Sequence, residues 1–240
     1  MIDDKKVFIS GVLTLIVGIL HIFIGVLAIG LLELSVTLFI FSIFLLFISL
    51  RLITVMHNNS LDEKRRIVIS CATGSFLNVV TMLTHIIIAS PNDRLVLYFF
   101  LFFFIAIGFY NFIIFFIKKI QLDQMDNDDK LSYFTIVILR GLGLGLLFNV
   151  LAWIGISGDL NLIMITYILI FGTLNMIFGE QLYRKNDVKK IQMRALIVLI
   201  LGLVFETILF TFFPNPKSLV DIILYSVIIP VRIYYIKKKF

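Results

Sequence analysis

Apolar residues fill eight long runs along the chain, and polar residues concentrate in the short segments between them. A helix needs about 20 apolar residues to cross roughly 30 Å of hydrocarbon. The length of the runs and their lack of period-two alternation favour helices over strands. The pattern therefore predicts an all-α, polytopic integral membrane protein with about eight transmembrane helices. The predicted spans are 7–30, 34–56, 67–89, 95–117, 132–156, 160–182, 195–213 and 218–236.

The composition agrees with a chain whose main solvent is lipid. Hydrophobic residues make up 60% of the 240 residues, and charged residues make up only 15%. Soluble domains carry about 25% charged residues. The single cysteine, Cys71, excludes an intramolecular disulfide.

The basic residues lie almost entirely on one side of the predicted membrane. That side carries sixteen Lys and Arg residues, and the other side carries only Arg94 and Lys217. Short cytoplasmic loops are enriched in Lys and Arg, so both termini are predicted to be cytoplasmic in a cell (plasma) membrane. The net charge of +6 is then a sign of topology and of contact with membrane lipids, and not of nucleic-acid binding. The sixteen are Lys5, Lys6, Lys64, Arg65, Arg66, Lys118, Lys119, Lys130, Arg184, Lys185, Lys189, Lys190, Arg194, Lys237, Lys238 and Lys239.

The chain shows signs of an internal repeat. A shift of 130 positions overlays the first two helices on the fifth and sixth, so that Gly11 meets Gly141 and Gly25 meets Gly155. Chance recurrence of Leu, Ile, Phe and Gly in so apolar a chain is the alternative explanation.

The repeat predicts two tandem four-helix halves, 1–119 and 131–240, joined by a cytoplasmic linker at 120–130. Since four is an even number, the two halves would have the same orientation. Parallel repeats of this kind occur in some transporter folds.

Ionisable residues inside a membrane are costly and are therefore candidates for a functional site. Helical rise places Arg140 roughly 13 Å, and Glu206 roughly 16 Å, from the cytoplasmic ends of their predicted helices. An isolated charge at such a depth costs about 2.5–3.5 kcal/mol, so a mutual Arg140–Glu206 ion pair is predicted. The candidate intramembrane polar site comprises Arg140, Glu206, Asn78, Asn149 and His21.

Each charged residue also has an alternative interpretation. Arg140 can extend its head towards the cytoplasmic headgroups, and Glu206 can be protonated and hydrogen-bonded to a backbone carbonyl. Arg51, Arg232 and Glu180 lie within two turns of the predicted cytoplasmic face, where extension towards the headgroups explains each of them.

Glycines at helical spacing predict close helix packing. The stretch RGLGLGLL (140–147) lies inside a predicted membrane helix, whereas a nucleotide-binding glycine loop follows a strand. The predicted packing positions are Gly141, Gly145, Gly11, Gly18 and Gly25.

Three classes of function remain for such a chain. We expect a small channel or carrier for a small solute, ion or lipid, with its polar site between the two halves. The alternative is a non-catalytic accessory, anchoring or effector subunit that assembles with itself as a homo-oligomer or with a partner membrane protein. An enzyme is not expected, because no cluster of His, Asp, Glu or Cys suggests catalytic residues, a metal site or a cofactor.

Overall fold

A computed structural model describes residues 3–27, 32–56, 60–88, 95–156, 162–184, 188–212 and 216–240. The elements within these ranges are all α-helices, and each is long and apolar enough to cross a membrane. The all-helical architecture expected from the apolar runs is thus confirmed. The helices are α1 (Asp4–Leu27), α2 (Leu32–Met56), α3 (Leu61–Ile88), α4 (Leu95–Asp123), α5 (Asn127–Ile156), α6 (Leu162–Arg184), α7 (Lys189–Phe212) and α8 (Pro216–Lys239).

Several helices extend past the apolar runs into polar sequence. The start of α7 is Lys189 instead of residue 195, and α4 continues to Asp123. The Asp126 carboxylate accepts a hydrogen bond from the backbone N–H of Asp129 at 2.7 Å and caps the start of α5. Most of the predicted linker is therefore helical, and the connection narrows to residues 124–126.

The chain divides into two compact units. The first consists of Met1–Gln124 with Leu151–Leu160, and the second of Met125–Val150 with Asn161–Phe240. The division after Gln124 falls inside the predicted linker.

The first unit is a four-helix bundle closed into a ring. Helix α1 packs against α2 and α4, and α3 packs against the same two helices. Gly11 and Gly18 of α1 face α2, where a Cβ on Gly11 would lie 2.8 Å from Leu52 Cδ2 and one on Gly18 3.1 Å from Leu46 Cδ2. The absence of side chains at these two positions lets the first two helices approach closely.

Ion pairs join the polar ends of the helices within the first unit. Asp4 at the start of α1 pairs with Lys118 of α4 at 2.7 Å and with Lys64 of α3 at 3.9 Å. Arg65 of α3 pairs with Asp123 at the end of α4 at 2.9 Å. The starts of α1 and α3 therefore lie together with the end of α4, as in an up-and-down bundle.

The second unit brings its own helix ends together in the same manner. Lys238 and Lys239 at the end of α8 pair with Asp128 and Asp129 at the start of α5, at 2.6 and 3.0 Å. Helix α7 packs against both α6 and α8. Which side of a membrane these helix ends face stays a prediction.

The internal repeat also stays a prediction. A shift of 128 makes Gly74 of α3 equivalent to Gly202 of α7. Gly74 faces Ile48 and Phe44 of α2, whereas Gly202 faces Tyr225 of α8. Since the repeat would equate α8 with α4 and not with α2, this pair of glycines gives the repeat no support.

Candidate functional site

Glu206 on α7 is a buried carboxyl residue of the second unit. It is 3% exposed, and its Oε1 accepts a hydrogen bond of 2.9 Å from the Tyr167 hydroxyl of α6. A hydrogen bond to a buried charged group contributes about 1.5–3 kcal/mol. The phenol of Tyr167 therefore fixes the carboxyl group and links α6 to α7.

A second hydrogen bond lies on the neighbouring helix pair. The Asn175 amide of α6 donates to the hydroxyl oxygen of Tyr225 on α8 at 3.0 Å, and both residues are fully buried. Gly202, one turn before Glu206 on α7, makes room for this phenol, because a Cβ there would lie 2.8 Å from Tyr225 Oη. Asn175 Oδ1 has no hydrogen-bond donor among the described residues.

Asp221 of α8 adds a second carboxyl group to this region. It is 4% exposed and lies close enough to Tyr167 and Tyr225 for electrostatic interaction with both phenols. We call the set of Tyr167, Asn175, Glu206, Asp221 and Tyr225 the acidic network. Two carboxyl groups with phenol and amide oxygens form an environment that suits a proton or a cation.

Aromatic rings enclose Tyr167 on its apolar side. The ring of Phe171 lies 4.8 Å, and that of Phe205 5.4 Å, from the Tyr167 ring, measured between centroids. Aromatic contacts of this kind contribute about 0.5–1.5 kcal/mol beyond area burial. The polar hydroxyl of Tyr167 is thus held at the edge of an apolar cluster.

The polar groups of the second unit occupy successive levels along its helices. In α6, Tyr167, Asn175 and Glu180 lie five, thirteen and eighteen residues after the first residue of the helix. At 1.5 Å per residue, these positions span roughly 20 Å. The network members on α6, Tyr167 and Asn175, thus lie roughly 12 Å apart along the helix axis, and Glu180 lies outside the network.

The predicted ion pair between Arg140 and Glu206 is wrong, because each of the two residues has a different partner in the structure. The Nη2 atom of Arg140 lies 3.8 Å from Oε2 of Glu180, whereas Glu206 has Tyr167 as its partner. The stem of Arg140 passes over Gly179, where a Cβ would lie 2.6 Å from Arg140 Cγ. Helix α6 therefore supplies the acid for Arg140, because its glycine lets the guanidinium reach the next residue.

A double-mutant cycle in detergent micelles distinguishes the two pairings. We expect Arg140→Met and Glu180→Gln to couple by about 0.5–1 kcal/mol in the free energy of unfolding, since Glu180 is half-exposed. Arg140→Met and Glu206→Gln serve as the control and are expected to add within about 0.5 kcal/mol. Coupling between Arg140→Met and Glu206→Gln, without coupling between Arg140→Met and Glu180→Gln, would support the ion pair predicted from the sequence.

The other predicted site residues lie in the first unit or outside the described side chains. His21 of α1 is fully buried, with Nδ1 2.6 Å from the Val17 carbonyl oxygen and its ring stacked on Phe104 at 4.2 Å. Asn78 of α3 donates from Nδ2 to the Phe104 carbonyl oxygen at 3.1 Å. The side chain of Asn149 lies outside the described part of the structure.

The glycine of α5 that contacts α6 is Gly143, which lies between the two predicted packing positions. A Cβ on Gly143 would lie 2.8 Å from the Gly172 carbonyl oxygen of α6. Gly141 is buried and Gly145 is half-buried on the same helix. Gly25 on α1 is buried as well.

Arg232 corrects a second prediction. The sequence places it near the headgroups, but the side chain is fully buried and Nη1 donates to the Ser132 hydroxyl of α5 at 2.9 Å. Its guanidinium carbon lies 5.3 Å from the centre of the Tyr235 ring, within reach of a cation–π contact. Packing between α8 and α5 thus holds this guanidinium inside the second unit.

Tyr167 and Tyr225 are the residues of the candidate site that sequence reasoning missed. Tyrosines near helix ends are typical of the membrane interface. These two lie five and nine residues inside their helices. A tyrosine hydroxyl inside a helix usually finds a hydrogen-bond partner when it is buried. The interior position of these two tyrosines, with Asn175 and Glu206 available as partners, was therefore the signal in the sequence.

The fold and the site together indicate a multi-pass helical membrane protein with polar side chains buried among apolar ones. Its eight apolar helices are each long enough to cross a membrane. The second unit holds two buried carboxyl groups in contact with tyrosine hydroxyls or close to them. Comparison with protein-family models, with curated proteins and with solved structures gives no match.

Proposed function

We propose that the protein is a small channel or carrier and that a proton or small cation binds at the acidic network of the second unit. The observation that carries this proposal is the burial of Glu206 inside an apolar helix, with a neutral hydroxyl as its partner. Burial of a charge without an opposite charge is costly, and proteins retain such a group inside a membrane mainly for function.

The arrangement of the network supports the same proposal. Asp221 brings a second carboxyl group near the phenols, and Asn175 Oδ1 offers a further buried oxygen. Carboxylate, hydroxyl and amide oxygens are the ligands that hard cations prefer. Protonation of Glu206 in place of cation binding would serve a proton pathway equally well.

Flux measurements on the reconstituted full chain test this function. Liposomes loaded with a pH-sensitive or a sodium-sensitive dye receive an imposed gradient of protons or of sodium ions. We expect the unaltered protein to carry one of these ions. Glu206→Gln is expected to lower that flux about tenfold or more, since interactions with a buried charge contribute about 1.5–3 kcal/mol.

Glu180→Gln is the matched control for this experiment. Glu180 is an acid of the same unit, but it is 39% exposed and pairs with Arg140 and Arg184. We expect this variant to keep most of the flux. Proteoliposomes with no more flux than protein-free liposomes, or equal losses in the two variants, would contradict the proposed role of Glu206.

A second candidate is an accessory subunit, because α4 exposes a stripe of large apolar residues that a partner helix can cover. Phe99, Phe102, Phe109 and Ile113 recur at helical spacing and are all exposed. Such a stripe fits lipid, a second copy or a partner helix equally well. Native mass spectrometry after gentle extraction separates these cases, because a stoichiometric second protein would favour the accessory role over transport by this chain alone.

A further inference from the structure

A small polar cavity lies inside the four-helix bundle of the first unit. Its volume is about 10 Å³, at the lower limit of what one water molecule needs. All four helices contribute to its lining, and the described residues that line it carry no charge. The polar side chains among them are Thr14, Ser75, Asn78 and Asn111.

The hydrogen bonds around the cavity fix the orientation of both asparagine amides. Asn78 faces the carbonyl oxygen of Phe104 at 3.1 Å, which accepts only from an N–H. Thr14 donates its own proton to the Ser10 carbonyl oxygen at 2.8 Å, so its hydroxyl can only accept from Asn111 at 3.1 Å. Each amide therefore uses its NH2 group for these bonds.

The two amide oxygens consequently remain as buried acceptors. Asn78 Oδ1 and Asn111 Oδ1 have no donor among the described residues, and both side chains are 2% exposed. Both residues line the same cavity. Buried oxygens of this kind ordinarily have a hydrogen-bond donor or an ordered water.

Gly108 leaves space beside the amide nitrogen of Asn78. A Cβ on Gly108 would lie 2.9 Å from Asn78 Nδ2 and 2.9 Å from Val79 Cγ2. Any larger residue at this position of α4 would press on the Asn78 amide. The glycine thus preserves both the amide orientation and the cavity.

We infer that this cavity is a binding site for one water-sized ligand that presents positive charge to Asn78 Oδ1 and Asn111 Oδ1. A water molecule does so with its two O–H groups, and a bare monovalent cation does so with its own charge. Two acceptors match the two donors of water, and the uncharged lining suits a neutral ligand. The site belongs to the first unit and does not depend on the acidic network.

A cycle of Asn78→Leu and Asn111→Leu tests this site through the unfolding equilibrium of the full chain. With a shared ligand, either single substitution expels it and strands the remaining oxygen. The change in the unfolding equilibrium constant of the double variant is then expected to be roughly tenfold smaller than the product of the two single changes. Asn78→Leu with Val68→Ala is the control, because Val68 is buried on the same helix, lies roughly 15 Å from Asn78 along the axis and does not line the cavity, so this pair is expected to be additive.

A high-resolution structure of the unaltered protein in lipid tests the same site without substitution. Density within hydrogen-bonding distance of both amide oxygens is the expected result. Density that persists when choline replaces all alkali cations identifies water, and density or coupling that requires sodium identifies a cation. An empty cavity, or an additive cycle of the two asparagines, would overturn the inference.

Discussion

Gly202→Ala is expected to destabilise the second unit and to break the hydrogen bond between Asn175 and Tyr225. The new Cβ would lie 2.7 Å from Tyr225 Cζ and 2.8 Å from Tyr225 Oη. Tyr225 is fully buried, so its ring can move only by displacing its neighbours. Overpacking costs about 1–3 kcal/mol, and the lost hydrogen bond adds about 1 kcal/mol.

A double-mutant cycle of Gly202→Ala with Tyr225→Phe distinguishes the loss of the hydrogen bond from the effect of overpacking. Denaturant titration in micelles gives the free energy of unfolding of each variant. We expect Tyr225→Phe to cost about 1 kcal/mol in the unaltered background and close to nothing after Gly202→Ala. An equal cost in both backgrounds would mean that the phenol keeps its bond to Asn175, and the proposed displacement would be wrong.

Gly179→Ala is the matched control for the effect of packing. Its Cβ would meet Arg140 Cγ at 2.6 Å, but that atom belongs to a long side chain with several rotatable bonds. Arg140 can change rotamer, whereas the ring of Tyr225 can move only by displacing its buried neighbours. We therefore expect a smaller loss of stability from Gly179→Ala than from Gly202→Ala.

The helices were predictable from the sequence because hydrocarbon offers no hydrogen-bond partners to the backbone. A chain in hydrocarbon must satisfy its backbone hydrogen bonds internally, and long apolar runs do so as helices. All eight apolar runs are helical over their described residues. The helix ends were less predictable, since segments 120–123 and 189–194 contain charged and amide side chains and yet are helical.

Contacts between charged side chains were not predictable from depth alone. Helical rise gives the level of Arg140 and Glu206, but each residue also turns the side chain by about 100° around the helix axis. A pair needs agreement in both coordinates. Arg140 faces Glu180 on α6, and Glu206 faces Tyr167 on the same helix, so equal depth led to the wrong partner.

The same argument applies to the glycines of α5. The spacing of Gly141 and Gly145 indicates one face of the helix, and Gly143 lies on another. The structure brings Gly143 against Gly172 of α6. Sequence spacing identified a helix able to pack closely, but the face that packs depends on where the neighbouring helix also has a glycine.

The two units differ in the chemistry of their buried polar groups. The polar residues around the cavity of the first unit are neutral, namely Thr14, Ser75, Asn78 and Asn111. The second unit buries Glu206 and Asp221 among phenols and amides. The proposed ion site therefore lies among the carboxyl groups of the second unit, and the proposed site for a water-sized ligand lies among the neutral groups of the first.

Gly143→Ala is expected to have the largest effect on stability among the glycine substitutions within the second unit. Its Cβ would lie 2.8 Å from the Gly172 carbonyl oxygen and 2.9 Å from the backbone nitrogen of Met176. Backbone atoms cannot move aside without shifting the whole of α6. We expect a loss of at least about 3 kcal/mol in the free energy of unfolding, at the upper end of the range for overpacking.

Gly172→Ala provides a control at the same helix contact. Its Cβ would meet mainly the Leu147 side chain at 3.0 Å, and the Gly143 carbonyl oxygen only at 3.2 Å, so we expect a smaller loss.

Because α6 also carries Tyr167 and Asn175, a shift of this helix by Gly143→Ala is expected to reduce ion flux along with stability. Equal stability of the two variants would contradict a backbone contact at Gly143, and normal flux in a destabilised Gly143→Ala protein would separate the acidic network from the α5–α6 contact.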